Sequence, residues 1–255
     1  MKEEFKFFGK DETELVGLIC RPQKFRGLAV VFAHGIPAGS PPAPDDTGYL
    51  ELCERASELG YVAATMNFRG TGKSGGNFDI AAWVDDLKVF LDILWKMMEP
   101  KGIVLVGSSG GAAVSVKVAS EETRVIAIAL LACPADFSFF APWKEPEQCI
   151  QYFRGIGIIR DADFPKDAQL WAESFKNLAP EGIIGSLHMP ILLIHGTGDE
   201  VVPFEHAKRL KSMAQSARLI PLDKFDHRLR HYPAVKALIV EWLRSIIVKS
   251  EKDST

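Results

Sequence analysis

The run Gly107-Ser108-Ser109-Gly110-Gly111 follows the apolar VLV of residues 104–106 and leads into the small, apolar AAV of residues 112–114. Only Ser109 fits G-x-S-x-G, with Gly107 and Gly111 two positions to either side. A serine on a sharp strand-to-helix turn has a strained backbone, and side chains at those flanking positions would crowd it. Glycines remove the collision and lift the hydroxyl above the sheet edge. The N–H groups that open the following helix favour negative charge there. Such a position suits a nucleophile, with Gly107 and Gly111 as the flanking spacers.

A serine hydroxyl is weak until a base takes its proton and a third group orients that base. KFDHRL (residues 224–229) offers His227 beyond the last apolar run, and ILLIHGTGDEVVP (residues 191–203) offers Asp199 in the loop after an earlier one. The order serine, acid, histidine is the order of nucleophile-elbow hydrolases. Asp136 and Glu200 are rival acids, and His231 is a rival base four residues on. His188, His195 and His206 come too early in the chain and read as a loop, a strand end and an exposed helix position. His34, in HGIP, suits a bracing role.

A second glycine-rich run, RGTGKSGG (residues 69–76), formally matches G-x-G-x-x-G and contains a Gly-Lys-Ser triplet. A phosphate loop would need glycine at position 67, where the chain has Asn67. A dinucleotide loop would follow the first strand of its unit and open a helix at once, whereas Gly76, Asn77 and Phe78 intervene here. The reading is a structural loop in which Arg69 and Ser74 tie neighbouring turns.

The elements that must position these groups are legible as apolar runs without alternation, separated by amphipathic stretches. Strands are predicted over residues 4–8, 15–20, 28–33, 61–68, 103–106, 125–132, 191–195 and 217–222. Helices are predicted over 47–59, 80–98, 112–120, 205–215 and 234–248. This pattern predicts an α/β fold: a mainly parallel, eight-stranded sheet with helices on both faces. Residues 134–189 interrupt the alternation with many aromatics and prolines. A loop that long without structure is improbable, so a small, mostly helical lid insertion is predicted there, on a core of residues 1–133 and 190–255. Phe139, Phe140, Trp143, Tyr152 and Phe153 are its candidate substrate-binding residues, although aromatics in a small insertion must also make its own core.

The chain resembles the α/β-hydrolase superfamily through HGIP, NFRGTGKSGG, GSSGG, HGTGDEVVP and FDH, over nearly its whole length. Within it the resemblance is greatest to small carboxylesterases of the feruloyl-esterase type and to the catalytic domains of serine aminopeptidases and acylpeptide hydrolases. It implies Ser109 as nucleophile, Asp199 as acid, His227 as base, and an oxyanion hole from the N–H groups of Gly110 and Ile36. It implies no metal and no organic cofactor. Ser108 stands where a histidine is common, and the Pro37–Asp46 loop is unusually long. The implied reaction is cleavage of carboxylic esters of largely apolar acyl or aryl groups through an acyl-enzyme. Serine peptidase activity, or a binding protein on the same scaffold, are the alternatives.

Composition narrows the rest. The 255 residues are 47% hydrophobic and 25% charged, with a net charge of -3 and no long run of one sign. Neither a nucleic acid nor an anionic membrane is indicated as a partner. A small-molecule ester is the expected one, with the oligomeric state left open. No apolar run approaches the ~20 residues of a bilayer span. The four cysteines show no metal-ligand spacing, so buried thiols and a cytoplasmic location are expected.

Overall fold

Apolar runs become strands here because neither of their faces meets water. The computed structural model describes residues 1–39, 48–142 and 144–252. Strands β1 (Lys2–Phe8), β2 (Glu14–Cys20), β3 (Leu28–Ala33), β4 (Val62–Asn67), β5 (Gly102–Ser108), β6 (Val125–Leu131), β7 (Ile191–Gly196) and β8 (Ala217–Leu222) form one sheet. Its order is β1-β2-β4-β3-β5-β6-β7-β8. The pairs β1/β2 and β2/β4 are antiparallel, and every later pair is parallel. All six residues of β3 and of β7 are buried, which is why they show no polar alternation. At the β8 edge, where only one neighbour exists, every residue but Ala217 is half-buried or exposed, and Pro221 interrupts the donors.

Helices cover both faces. Helices α1 (Leu50–Glu58) and α7 (Pro233–Lys252) pack on one side. Helices α2 (Ile80–Met98), α3 (Gly110–Glu121) and α6 (Glu205–Met213) pack on the other. In α2 the residues Trp83, Leu87, Phe90, Leu91 and Leu94 recur on one face and are wholly buried. Asp79 caps α2 by accepting the N–H groups of Ala81 and Ala82. Differences from the predicted boundaries are small and local. Helix α3 begins at Gly110 rather than Ala112, directly after Ser109, and α7 begins on Pro233, which is tolerated in a first turn. The first helix starts at Leu50; the predicted start at Thr47 lies outside the described residues.

Between β6 and β7 the chain forms α4 (Pro146–Gly155), α5 (Ala168–Asn177) and two short 3-10 turns. Phe137, Phe153, Trp171 and Phe175 are buried there, and Phe153, Trp171 and Phe175 each meet Phe78 edge-on. These four aromatics of the segment are therefore core, and three of them gather around one ring from the loop after β4.

That loop is rigid on both sides. Ser74 Oγ donates to Asn67 O and accepts from Val16 N, while the Arg69 guanidinium pairs with the fully buried Asp86 and with Asp11. Arg69 and Ser74 thus tie neighbouring turns, as their positions indicate. Asn77 joins the loop to the segment between α4 and α5. Its Oδ1 accepts from Arg160 N at 2.7 Å and Asp161 N at 2.9 Å, and its Nδ2 donates to Asp161 at 2.7 Å. Phe78 N also donates to Ile158 O, and Trp171 Nε1 to Phe78 O. Replacing Asn77 with alanine leaves two N–H groups without their acceptor. Unfolding in urea should then show a loss of about 2–4 kcal/mol, with earlier proteolytic cleavage between residues 155 and 167.

Candidate active site

Ser109 sits between β5 and α3 with φ 51° and ψ -123°, in the region of backbone space that L residues avoid. Such a conformation costs roughly 1–3 kcal/mol and persists only where the surroundings enforce it. They do so here. Ser109 N donates to Leu131 O on β6, and Ser109 O accepts from Ala112 N and Ala113 N at the start of α3. The turn can be this tight because Gly111 has no side chain: a Cβ there would lie 2.2 Å from His34 O and 2.6 Å from Ala33 O. At Gly107 it would lie 2.6 Å from Ala112 Cα. The two glycines of the motif are thus close-approach positions, and α3 opens against the end of β3.

That same approach brings the HGIP segment to Ser109. A Cβ on Gly35 would be 2.9 Å from Ser109 Cβ, and one on Gly110 would be 2.8 Å from Ile36 Cγ1 and 3.5 Å from Ile36 N. The N–H groups of Ile36 and Gly110 therefore lie beside one another next to Ser109. Neither has a hydrogen-bond acceptor among the described residues. His34 is the brace of this corner. Its Nδ1 lies 2.8 Å from Gly35 O, and its Nε2 accepts from Phe68 N at 3.1 Å. A ring that accepts at Nε2 carries its proton on Nδ1. Burial pushes its pKa down to about 4, so it stays neutral at ordinary pH.

The Asp199 carboxylate is buried and four donors converge on it. Oδ1 accepts from Val201 N at 2.9 Å and Val202 N at 2.8 Å. Oδ2 lies 2.8 Å from His227 Nδ1 and 3.3 Å from His195 Nε2. Burial alone would raise its pKa. The hydrogen bonds from His195 and His227, with the Val202 N–H, outweigh that and hold the carboxyl well below the usual range. An ionised carboxylate only accepts, so His227 carries its proton on Nδ1 and leaves Nε2 as an acceptor in the neutral ring.

Ser109, Ile36, Gly110 and His227 line one cleft of about 1020 Å³. Phe139, Phe140, Tyr152 and Phe153 line it too, together with Phe137, which the sequence reading left out. Trp143 lies outside the described residues. Phe153 is only 1% exposed and serves chiefly as core, whereas Phe139 is 40% and Tyr152 49% exposed at the cleft. Ser109 and His227 share no hydrogen bond among the described residues. The rival base His231 lines the same cleft, whereas the rival acids stand elsewhere. Asp136 accepts from Arg209 and from Ser138 rather than from a cleft histidine, and Glu200 is exposed. His206 is a correction: it is 6% exposed, not a surface helix residue, and its Nδ1 accepts from Ala135 N. Among the described residues no group of three or more His, Cys, Asp or Glu is placed to hold a metal ion, and no helix is long and apolar enough to cross a membrane. Cys20, Cys53 and Cys133 are buried free thiols, and Cys149 is half-buried.

Besides Phe137, sequence reasoning missed two residues that shape this site. Gly196 ends β7, and a Cβ there would lie 2.1 Å from Phe225 O and 2.6 Å from Phe225 C. The backbone just before His227 is thereby laid directly on the end of the strand that leads to Asp199. Gly196→Ala should push that segment outward, costing about 1–3 kcal/mol of stability and lowering kcat roughly 10²-fold by misplacing His227; thermal unfolding and steady-state kinetics read the two effects separately. The other is His195, four residues before Asp199, whose spacing was the available signal.

Comparison with known proteins agrees with this architecture. A model of the alpha/beta hydrolase family matches residues 30–242. The chain is 26% identical over 261 residues to the uncharacterized protein YfhR of Escherichia coli strain K12, covering 96% of this chain and 81% of that one. Among solved structures, it resembles the esterase domain of a Rhodothermus marinus protein with a TM-score of 0.71 at 20% identity, over 96% of this chain and 98% of the other. It resembles a Pyrococcus furiosus esterase with a TM-score of 0.69 at 19% identity, over 99% and 92%. At such identities the structural matches speak for the fold, whereas the family match spans β3 to α7 and takes in the serine turn, the acid loop and the histidine segment. By sheet order, serine turn and family match alike, the chain belongs to the alpha/beta hydrolase family.

Proposed function

We propose that the protein is a serine hydrolase that cleaves carboxylic esters of small to medium, largely apolar acyl or aryl groups. The observation that carries this is the meeting in one cleft of a positive-φ serine and a histidine held by a buried carboxylate. In this reading neutral His227 takes the Ser109 proton at Nε2 as Oγ attacks the ester carbonyl. The carbonyl oxygen gains the negative charge and is met by the N–H groups of Ile36 and Gly110, each worth about 3 kcal/mol in the transition state. Collapse of the tetrahedral species breaks the bond to the leaving alkoxide, which receives its proton from His227. Water then repeats the sequence on the acyl-enzyme and restores Ser109. Catalytic hydrogen bonds of this kind are commonly long before substrate binds, which accommodates the absence of a direct Ser109–His227 bond.

Aromatic rings at the cleft support an apolar acyl or aryl group over an ionic one. Peptide cleavage is the competing activity, and a substrate panel separates them. p-Nitrophenyl esters of graded acyl length should be hydrolysed with higher kcat/KM than any aminoacyl p-nitroanilide, with an optimum at an intermediate chain length. Preference for the anilides would replace esterase by peptidase, and absence of labelling by a fluorophosphonate would remove both.

A further inference from the structure

We infer that His195 is a positioning residue for this site, a second imidazole that locks the Asp199 carboxylate in the one orientation that serves His227. The inference rests on the reading of Ser109, Asp199 and His227 as the reacting groups. His195 is 1% exposed at the end of β7 and cannot meet substrate. Its Nε2 lies 2.8 Å from Val202 O and 3.3 Å from Asp199 Oδ2. A ring nitrogen facing two oxygen acceptors must carry a proton, so Nε2–H donates chiefly to Val202 O and secondarily to Asp199. Val202 is used at both ends: its carbonyl is held by His195, and its N–H holds Asp199 Oδ1 at 2.8 Å. The edge-on ring of Phe204, 5.9 Å away, packs against the imidazole.

Both carboxylate oxygens are therefore pinned. Turning the group about its last bond would break the bonds to Val201 and Val202 at one oxygen and strip His227 and His195 from the other. Without His195 the turn carrying Val202 loses its anchor to the sheet. The ionisable groups facing His195 are Asp199 on the following loop, His227 through that carboxylate, and His206 from α6. Asp226 and Arg228 flank His227 in the chain.

The test compares three variants of the full chain. His195→Gln keeps an amide N–H near the place of Nε2; His195→Asn puts its amide at the place of Nδ1 instead; His195→Leu has no donor. Hydrolysis of p-nitrophenyl butyrate should fall roughly 10²-fold in kcat for His195→Leu and His195→Asn, with KM within about twofold, and His195→Gln should recover most of it. Loss of a donor leaves more negative charge on Asp199 for His227, so the acid limb of kcat/KM should move to higher pH in the Leu and Asn variants and return in Gln. Equal losses in all three with an unmoved acid limb, or no loss in any, would overturn the assignment. If His195→Leu does not fold, the Gln and Asn pair decides alone. Wild-type protein treated with a fluorophosphonate separates the two levels: failure to label overturns the underlying reading and this inference with it, whereas labelling beside unaffected variants overturns this inference only.

Discussion

Ser109→Ala is expected to lower kcat for p-nitrophenyl ester hydrolysis by roughly 10⁶-fold, leaving only the residue of catalysis that binding and the two N–H groups supply. The size follows from the way a nucleophile, its base and its orienter act as one unit, so that removal of the nucleophile forfeits the covalent route entirely. The substitution also reports on the turn. Alanine has a Cβ like serine, so it bears the same φ of 51° at similar cost and takes nothing from the backbone bonds to Leu131, Ala112 and Ala113. Its thermal midpoint should therefore stay near that of the wild type while activity and fluorophosphonate labelling vanish. A variant that keeps most of its esterase activity would show that the hydroxyl at position 109 is not the nucleophile.

What could be read from the sequence followed from how local the constraint was. The strands β3, β5, β6 and β7 were legible because a strand covered on both faces must be apolar at consecutive positions, as VLV before Gly107 is. Ser109 was legible because a turn with a close helix start demands glycine at fixed offsets. Pairing Asp199 with His227 needed chain order as well, since 28 residues separate them, and the 2.8 Å contact is where the fold brings them together. Other features are set by tertiary contacts without a local pattern. Asn77 anchors Asp161 from 84 residues away through a side chain whose type is ordinary in any loop. His206 was misplaced for the same reason: a histidine among the charged residues of EHAKRLKSM reads as exposed, but the chain after β6 folds back over α6 and lends it Ala135 N. His195 read as a strand end, which it is; that its ring turns toward the acid depends on the loop returning through Val202.

Asp199→Asn is expected to cost about 10⁴-fold in kcat with KM little changed, and the hydrogen bonds around the carboxylate explain why a change of one atom does so much. Val201 N and Val202 N both donate at Oδ1, so the amide oxygen of asparagine must take that place. Its NH2 then faces His227 Nδ1 and His195 Nε2. A donor there forces His227 to accept at Nδ1 and to carry its proton at Nε2, the atom that takes the Ser109 proton in the proposed mechanism. The wrong tautomer is thus built in while the fold is kept. The same NH2 confronts the His195 N–H, so part of the Asp199 loop loosens. The stability difference between the two proteins has a definite pH dependence. The folded Asp199 carboxyl titrates well below its unfolded value of about 3.9, so its contribution is complete above that pH and fades as pH falls beneath it. Urea midpoints of wild type and variant should stay apart down to about pH 5 and converge below about pH 4. A gap that instead closes on going from pH 8 to 5 would place the stabilising ionisation on another group and leave the activity loss without this explanation.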